Sequence, residues 1–238
     1  MQRLERKHPL SIRWFHWINF VVLAILVWSG LLIYWANAVY GIRFGSRELF
    51  HFFPDSWFVA FGLNQRLAEG MAWHFFAMWL FAANGLLYVL ALAISGEWRH
   101  LVPKRGSMRI AIQVFLHDLH LRKAPPEGAG DKYNGAQRYA YTGVVLMGIG
   151  SVLTGLAIHK PIQASGLAAL LGGYDFARQL HFWLMGAFVL FFGVHVAQVM
   201  RAGWNNFRAM VTGYELTDIP EAPKSTPAAA PALKEKAG

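Results

Sequence analysis

Four long stretches of this chain, residues 14–36, 71–95, 139–158 and 179–200, contain no Asp, Glu, Lys or Arg. An α-helix needs about 20 mainly apolar residues to cross a hydrocarbon layer of roughly 30 Å. Each stretch meets that length, so the expected fold is all-α: an integral membrane four-helix bundle. The first stretch is too long for the apolar region of a signal peptide and lacks a small-residue cleavage site, so it reads as a retained helix. Overall composition agrees, since 15% of residues are charged and 55% hydrophobic, against about 25% charged in soluble domains.

The basic residues predict how the helices are oriented. Of the 22 Lys and Arg, 17 fall in the N-terminal segment, the loop 96–138 and the tail after Met200, and five fall in the other two connections. Cytoplasmic segments carry the excess of positive charge, which puts both termini in the cytoplasm. The net charge of +9 is therefore an orientation signal. No nucleic-acid-binding motif accompanies it. There is no cysteine, which excludes disulfides, iron–sulfur ligation and the C-x-x-C-H attachment of a c-type haem.

Between the spans, residues 49–63 (LFHFFPDSWFVAFGL) are apolar but too short to cross, and Pro54 and Asp55 interrupt them. They read as an interfacial segment on the outer side, or equally as a loop packed on the helix ends. Residues 124–135 are rich in Pro and Gly and read as loop. Residues 1–219 form the expected membrane domain, and the Pro-, Ala- and Lys-rich residues 220–238 a disordered cytoplasmic tail.

Four of the ten histidines lie inside the charge-free stretches: His16, His74, His181 and His195. Ionisable groups are costly within a bilayer, which makes each a functional candidate. One such histidine alone is as readily a hydrogen-bonded core residue. With the N-terminus inside, His16 and His195 lie near the inner surface, and His74 and His181 near the outer one. His181 and His195 are 14 residues apart, close to four helical turns, so they share a face about 21 Å apart along the axis. The four sort by depth into two pairs from different helices, with none left over. Zinc prefers three or four clustered ligands. Haem iron already has four porphyrin nitrogens and needs two axial ligands. Two haem b groups between the helices, held by the pairs His74–His181 and His16–His195, fit this pattern.

Arg13 and Arg178 each lie three residues before one of these histidines, on the same helix side. They suit haem propionates, or equally the ordinary interfacial placement of long cationic side chains. Gly30, Gly143, Gly148, Gly150 and Gly155 would leave room for flat macrocycles or allow simple helix packing. Each ligating imidazole should donate its second N–H to a carbonyl or hydroxyl, which the sequence does not identify. His117 and His120, in HDLH, read as solvated surface.

The opening HPLSIRWFHWINFVVLAILVWSGLLIYW resembles the first helix of the bacterial di-haem cytochrome b561 superfamily, which includes the b-type cytochrome subunits of nickel–iron hydrogenase, formate dehydrogenase and thiosulfate reductase. The resemblance runs from residue 8 to about 215. It is carried by R-x-x-H-W at Arg13 to Trp17, by His74, and by H-x13-H at His181 and His195. GEWRHLVPKR, LHDLHLRK and AGWNNFRAMVTGYE are most similar to the thiosulfate-reductase-type branch. This implies a multi-pass protein of the bacterial inner membrane. It would transfer electrons between the quinone pool and a periplasmic oxidoreductase partner, such as a molybdoenzyme handling a sulfur compound. His74 and His181 would ligate the outer haem and His16 and His195 the inner one. Quinone would be met near Trp98, Arg99 and His100. No nucleophile with its base is apparent, so substrate chemistry would belong to another chain.

Two other readings remain at this point. The family also contains free-standing members that act as superoxide:quinone oxidoreductases, against which the 34-residue connection 37–70 argues mildly for docking. A haem-free structural or transport protein would leave the paired histidine depths unexplained.

Overall fold

The computed structural model describes residues 2–36, 40–44, 47–118, 120–121, 123 and 133–218. The expected tail 220–238 lies outside the described residues, as does most of the Pro/Gly-rich stretch 124–135.

The chain opens with a short strand, β1 (Gln2–Arg6), and enters the long helix α1 (Leu10–Trp35) behind Pro9. Proline suits a helix start, where its missing N–H costs nothing. A hairpin of β2 (Gly41–Phe44) and β3 (Arg47–His51) follows, then a single-turn helix α2 (Asp55–Ala60) behind Pro54. The second long helix, α3 (Leu67–Ser95), ends at Gly96, whose φ of 71° suits a residue without Cβ. A turn of helix, α4 (Trp98–Leu101), and the amphipathic α5 (Ser107–Asp118) lead to the third long helix, α6 (Gly135–His159). Asn134 and Gln137 cap α6 reciprocally, each side chain accepting from the other's backbone N–H at 2.9 and 3.0 Å. A short α7 (Ser165–Leu170) precedes the longest helix, α8 (Tyr174–Thr212), and β4 (Tyr214–Asp218) closes the described chain.

The four charge-free stretches thus lie in α1, α3, α6 and α8, which among the described residues are the four helices long and apolar enough to cross a membrane. α1 packs along α3 and α6 along α8. The two pairs approach one another between α1 and α8 and between α3 and α6. Large apolar side chains face outward, as lipid permits, with Ile94 86% exposed. The fully buried side chains on the long helices are mostly small: Ser29, Ala77, Thr154, Ala157 and Ala177. Small residues let helix backbones come close where no hydrophobic effect drives association. Gly70 marks such a crossing: a Cβ there would lie 2.7 Å from Leu32 Cβ and 3.1 Å from the Ser29 carbonyl oxygen.

Two small antiparallel sheets depart from the purely helical expectation and identify the two ends of the bundle. β1 pairs with β4, in register from Gln2 with Asp218 to Arg6 with Tyr214, so both ends of the described chain meet at one end of the bundle. Gly203, at φ 81° and ψ 173°, breaks α8 and swings its last turns toward that sheet. Asn205 then bonds the Leu216 backbone both ways, at 2.9 and 3.0 Å, while Lys7 bridges Asn206 and Glu215. The NN of AGWNNFRAM is thereby a clasp for the terminal sheet. At the opposite end, residues 49–63 fold as the second hairpin strand and α2, packed over the bundle. Phe58 of α2 is buried, and Phe182 of α8 lies against Tyr34 and Tyr40 at ring separations of 5.0 and 4.8 Å.

Candidate haem-binding sites

The first pair forms near the hairpin end. His74 of α3 and His181 of α8 face each other with ring centroids 6.2 Å apart and planes at 69°. α3 and α8 are not packed along each other, so the two side chains reach toward one another across the bundle. The Nδ1 of His74 lies 3.0 Å from Ser29 Oγ on α1. The Ser29 hydroxyl spends its single proton on the Ile25 carbonyl, at 2.6 Å. It must therefore accept from His74 Nδ1–H. Thr154 on α6 repeats the device. Its hydroxyl donates to the Gly150 carbonyl at 2.7 Å and receives His181 Nδ1–H at 2.8 Å. Both rings are thereby held in the tautomer whose Nε2 carries a free lone pair and points away from the hydroxyl, which is the metal-binding form.

A glycine follows each hydroxyl residue. A Cβ at Gly30 would meet His74 Cε1 at 3.6 Å, and one at Gly155 would meet His181 Cε1 at 3.4 Å. The glycines therefore admit the imidazoles at van der Waals distance. Neither the hydroxyls nor this role of the glycines emerged from the sequence reading. The signal is a hydroxyl residue followed by glycine, at 29–30 and again at 154–155.

The second pair forms near the terminal sheet. His16 of α1 and His195 of α8 have ring centroids 5.9 Å apart and planes at 53°. Trp17 abuts His16 edge-on, and Phe191 stacks on His195 at 10°. Between the two levels Phe81 of α3 meets Phe188 of α8.

The donor set fits haem iron. Ring separations of this size would leave room for one metal ion held by both imidazoles of a pair, whose bonds to a metal are about 2 Å long. Among the described residues no three His, Asp or Glu side chains gather as a metal site. The histidines come as pairs, the number that a metal already held by a macrocycle requires.

The arginines and the residues of the connection between α3 and α6 have their own partners. Arg13 donates through Nη2 to the Val211 carbonyl near the end of α8, which draws the terminal sheet onto α1. Its Nε is buried without a partner. Arg178 lies over the Tyr174 ring, 5.8 Å from its centroid. Arg99 lies over Trp98, and the His100 carbonyl accepts from Arg138 at 2.7 Å. Arg138 is buried and ties α6 to the α4 segment. His117 and His120 do not form a site with the four span histidines, and Asp118 beside them accepts from Gln198 and Arg201 of α8. Near Arg13, His8 is held below the ordinary histidine range by burial and then by the Lys7 cation, with Glu215 opposing.

The family model for prokaryotic cytochrome b561 matches residues 7–213 of this chain. A protein of Azospira oryzae named as a candidate protein-methionine-sulfoxide reductase subunit, YedZ1, is 37% identical over 193 residues, covering 81% of this chain and 89% of that protein. No solved structure matches. The paired histidines, the four spanning helices and this match along nearly the whole described chain agree: the protein belongs to the prokaryotic cytochrome b561 family.

Proposed function

We propose that this chain is a di-haem membrane cytochrome that carries electrons between the quinone pool and an oxidoreductase outside the cytoplasmic membrane. As a family member it is a multi-pass bacterial membrane protein that binds haem b. The observation that carries the finer reading is that α8 alone supplies His181 and His195, each opposed by one histidine of another helix. His74 and His181 would hold one haem, and His16 and His195 the other. When bound, haem supplies one-electron chemistry at its iron.

The chain's own residues do the rest. Ser29 and Thr154 fix the tautomers of their histidines. The charge bias of the loops supports a cytoplasmic location for the terminal sheet, and hence an outer location for the β2–β3 hairpin and α2. Leu49, Phe50, Trp57 and Phe61 are exposed on that outer cap. An apolar cap of this kind suits docking of a partner subunit. The name of the Azospira relative makes a protein-methionine-sulfoxide reductase the partner to test first. Quinone would exchange at the cytoplasmic end, near Trp98, Arg99 and His100. Arg13 and Arg178 would face propionates.

The test is a reduced-minus-oxidised absorption spectrum of the detergent-purified protein with a pyridine haemochrome count. Two b-type haems per chain are expected. One would mean that a pair is misassigned, and none would overturn the reading. Co-purification with a stable outer subunit would support the partner. A solitary chain that reduces quinone with superoxide would replace that part of the proposal.

A further inference from the structure

His74 and His181 each hand the Nδ1 proton to a hydroxyl. His16 has no such partner: its Nδ1 is buried and unpaired. Three residues further along the same helix, Asn19 Oδ1 is also buried and unpaired. Side chains three apart on an α-helix are surface neighbours, with Cβ atoms about 5–6 Å apart. Helical side chains lean toward the N-terminus, so Asn19 covers the turn that carries His16. The two orphan atoms are complementary. An imidazole that gives Nε2 to a metal keeps its proton on Nδ1 and needs an acceptor there. An amide oxygen is one.

Other polar groups around this turn, the unpaired Nε–H of Arg13 among them, are donors. Trp17 Nε1–H donates to the Met210 carbonyl at 3.2 Å, and Asn84 of α3 donates to the Phe15 carbonyl at 3.3 Å. Both would be donors toward His16 in any case. The terminal torsions of His16 and Asn19 are of the broad, soft kind, and turning them is the motion that would bring the two atoms together.

We infer that Asn19 is the positioning residue of the His16–His195 site: its amide oxygen accepts His16 Nδ1–H and does there what Ser29 and Thr154 do at the other pair. The inference rests on the di-haem reading. A stronger acceptor at Nδ1 makes Nε2 a better donor to iron and favours the oxidised form, and loss of the acceptor does the opposite.

The experiment is a spectroelectrochemical titration of the full-length protein in detergent, comparing Asn19→Leu and Asn19→Asp with the unsubstituted chain. Asn19→Leu should raise the midpoint potential of one haem, the one that His195→Ala removes. It should also weaken that haem's binding by about 10- to 100-fold. Asn19→Asp should lower the same potential, and the other haem should keep its own in both variants. If the aspartate variant fails to assemble, Asn19→Gln should stay close to the unsubstituted value while Asn19→Leu departs from it. Shifts of the same sign in the Leu and Asp variants would reveal a packing effect and overturn the inference, as would unmoved potentials or equal movement of both haems. No haem in the unsubstituted protein, or a single haem that survives His195→Ala, would overturn the parent reading at this site and this inference with it. Two haems with unmoved potentials would overturn only the role of Asn19.

Discussion

Phe81 of α3 and Phe188 of α8 meet edge to face at 6.3 Å, each seven residues from a candidate iron ligand on its own helix. Seven residues are nearly two turns, so each phenylalanine shares its histidine's face. Phe188 is equally seven residues from His195 and is buried. The pair therefore fills the bundle between the two histidine levels. Phe188→Ala should leave a cavity and destabilise the protein by about 3–5 kcal/mol. The check is the thermal unfolding midpoint in detergent, with both haems expected to remain bound at low temperature.

Removing single histidines should separate the two levels. His181→Ala should abolish one haem and spare the other, and His195→Ala should do the reverse. Haemochrome counts with the two α-band positions would decide. Loss of the same single haem in both variants would contradict the pairing.

Thr154→Val keeps the shape of the side chain but removes the acceptor of His181 Nδ1–H. A ligand's outer-shell partner is worth about 10- to 100-fold in affinity. The variant should bind haem at the His74–His181 pair more weakly by that factor, measured by haem titration of apoprotein. Ser29→Ala should act alike through His74, and neither should affect the pair His16–His195.

Gly70→Val tests helix spacing. Its new Cβ would press on Leu32 and on the Ser29 carbonyl, forcing α3 away from α1. Because Ser29 orients His74 across this crossing, the variant should lose haem from the His74 level first. Gly85, where a Cβ would have nothing within 4 Å, is the control, and Gly85→Ala should be silent in the same haem count.

Acidification should loosen the terminal sheet. Burial and the Lys7 cation hold His8 below its ordinary value of 6.5. The unfolded chain then binds more protons than the folded one just below pH 6.5, so stability is full above that pH and falls as the pH drops toward the lower folded value. Proteolysis of the N-terminal segment should accelerate over that interval. In His8→Gln the acceleration should be reduced.

Features that depend on local periodicity and on exclusion from lipid are legible in the sequence. The lack of charge over twenty residues marks a span wherever it packs. A separation of 14 residues puts His181 and His195 on one face of any straight α-helix. That His74 faces His181 and His16 faces His195 was legible from their depths, because successive spans run in opposite directions.

The remaining features depend on contacts between elements distant in the chain. Nothing local pairs Gln2 with Asp218, since a strand's partner lies wherever the chain returns, and here the Gly203 break and the asparagine clasp bring it back. Residues 49–63 had two readings because a short apolar segment is equally compatible with an interface and a packed cap. Tyr34 and Phe182 supply the surface that makes it a cap. Ser29 and Thr154 are ordinary hydroxyl residues of membrane helices until α3 and α8 carry a histidine to within 3.0 Å of each. That approach depends on how four helices rotate against one another, a property of their joint packing that no single helix contains.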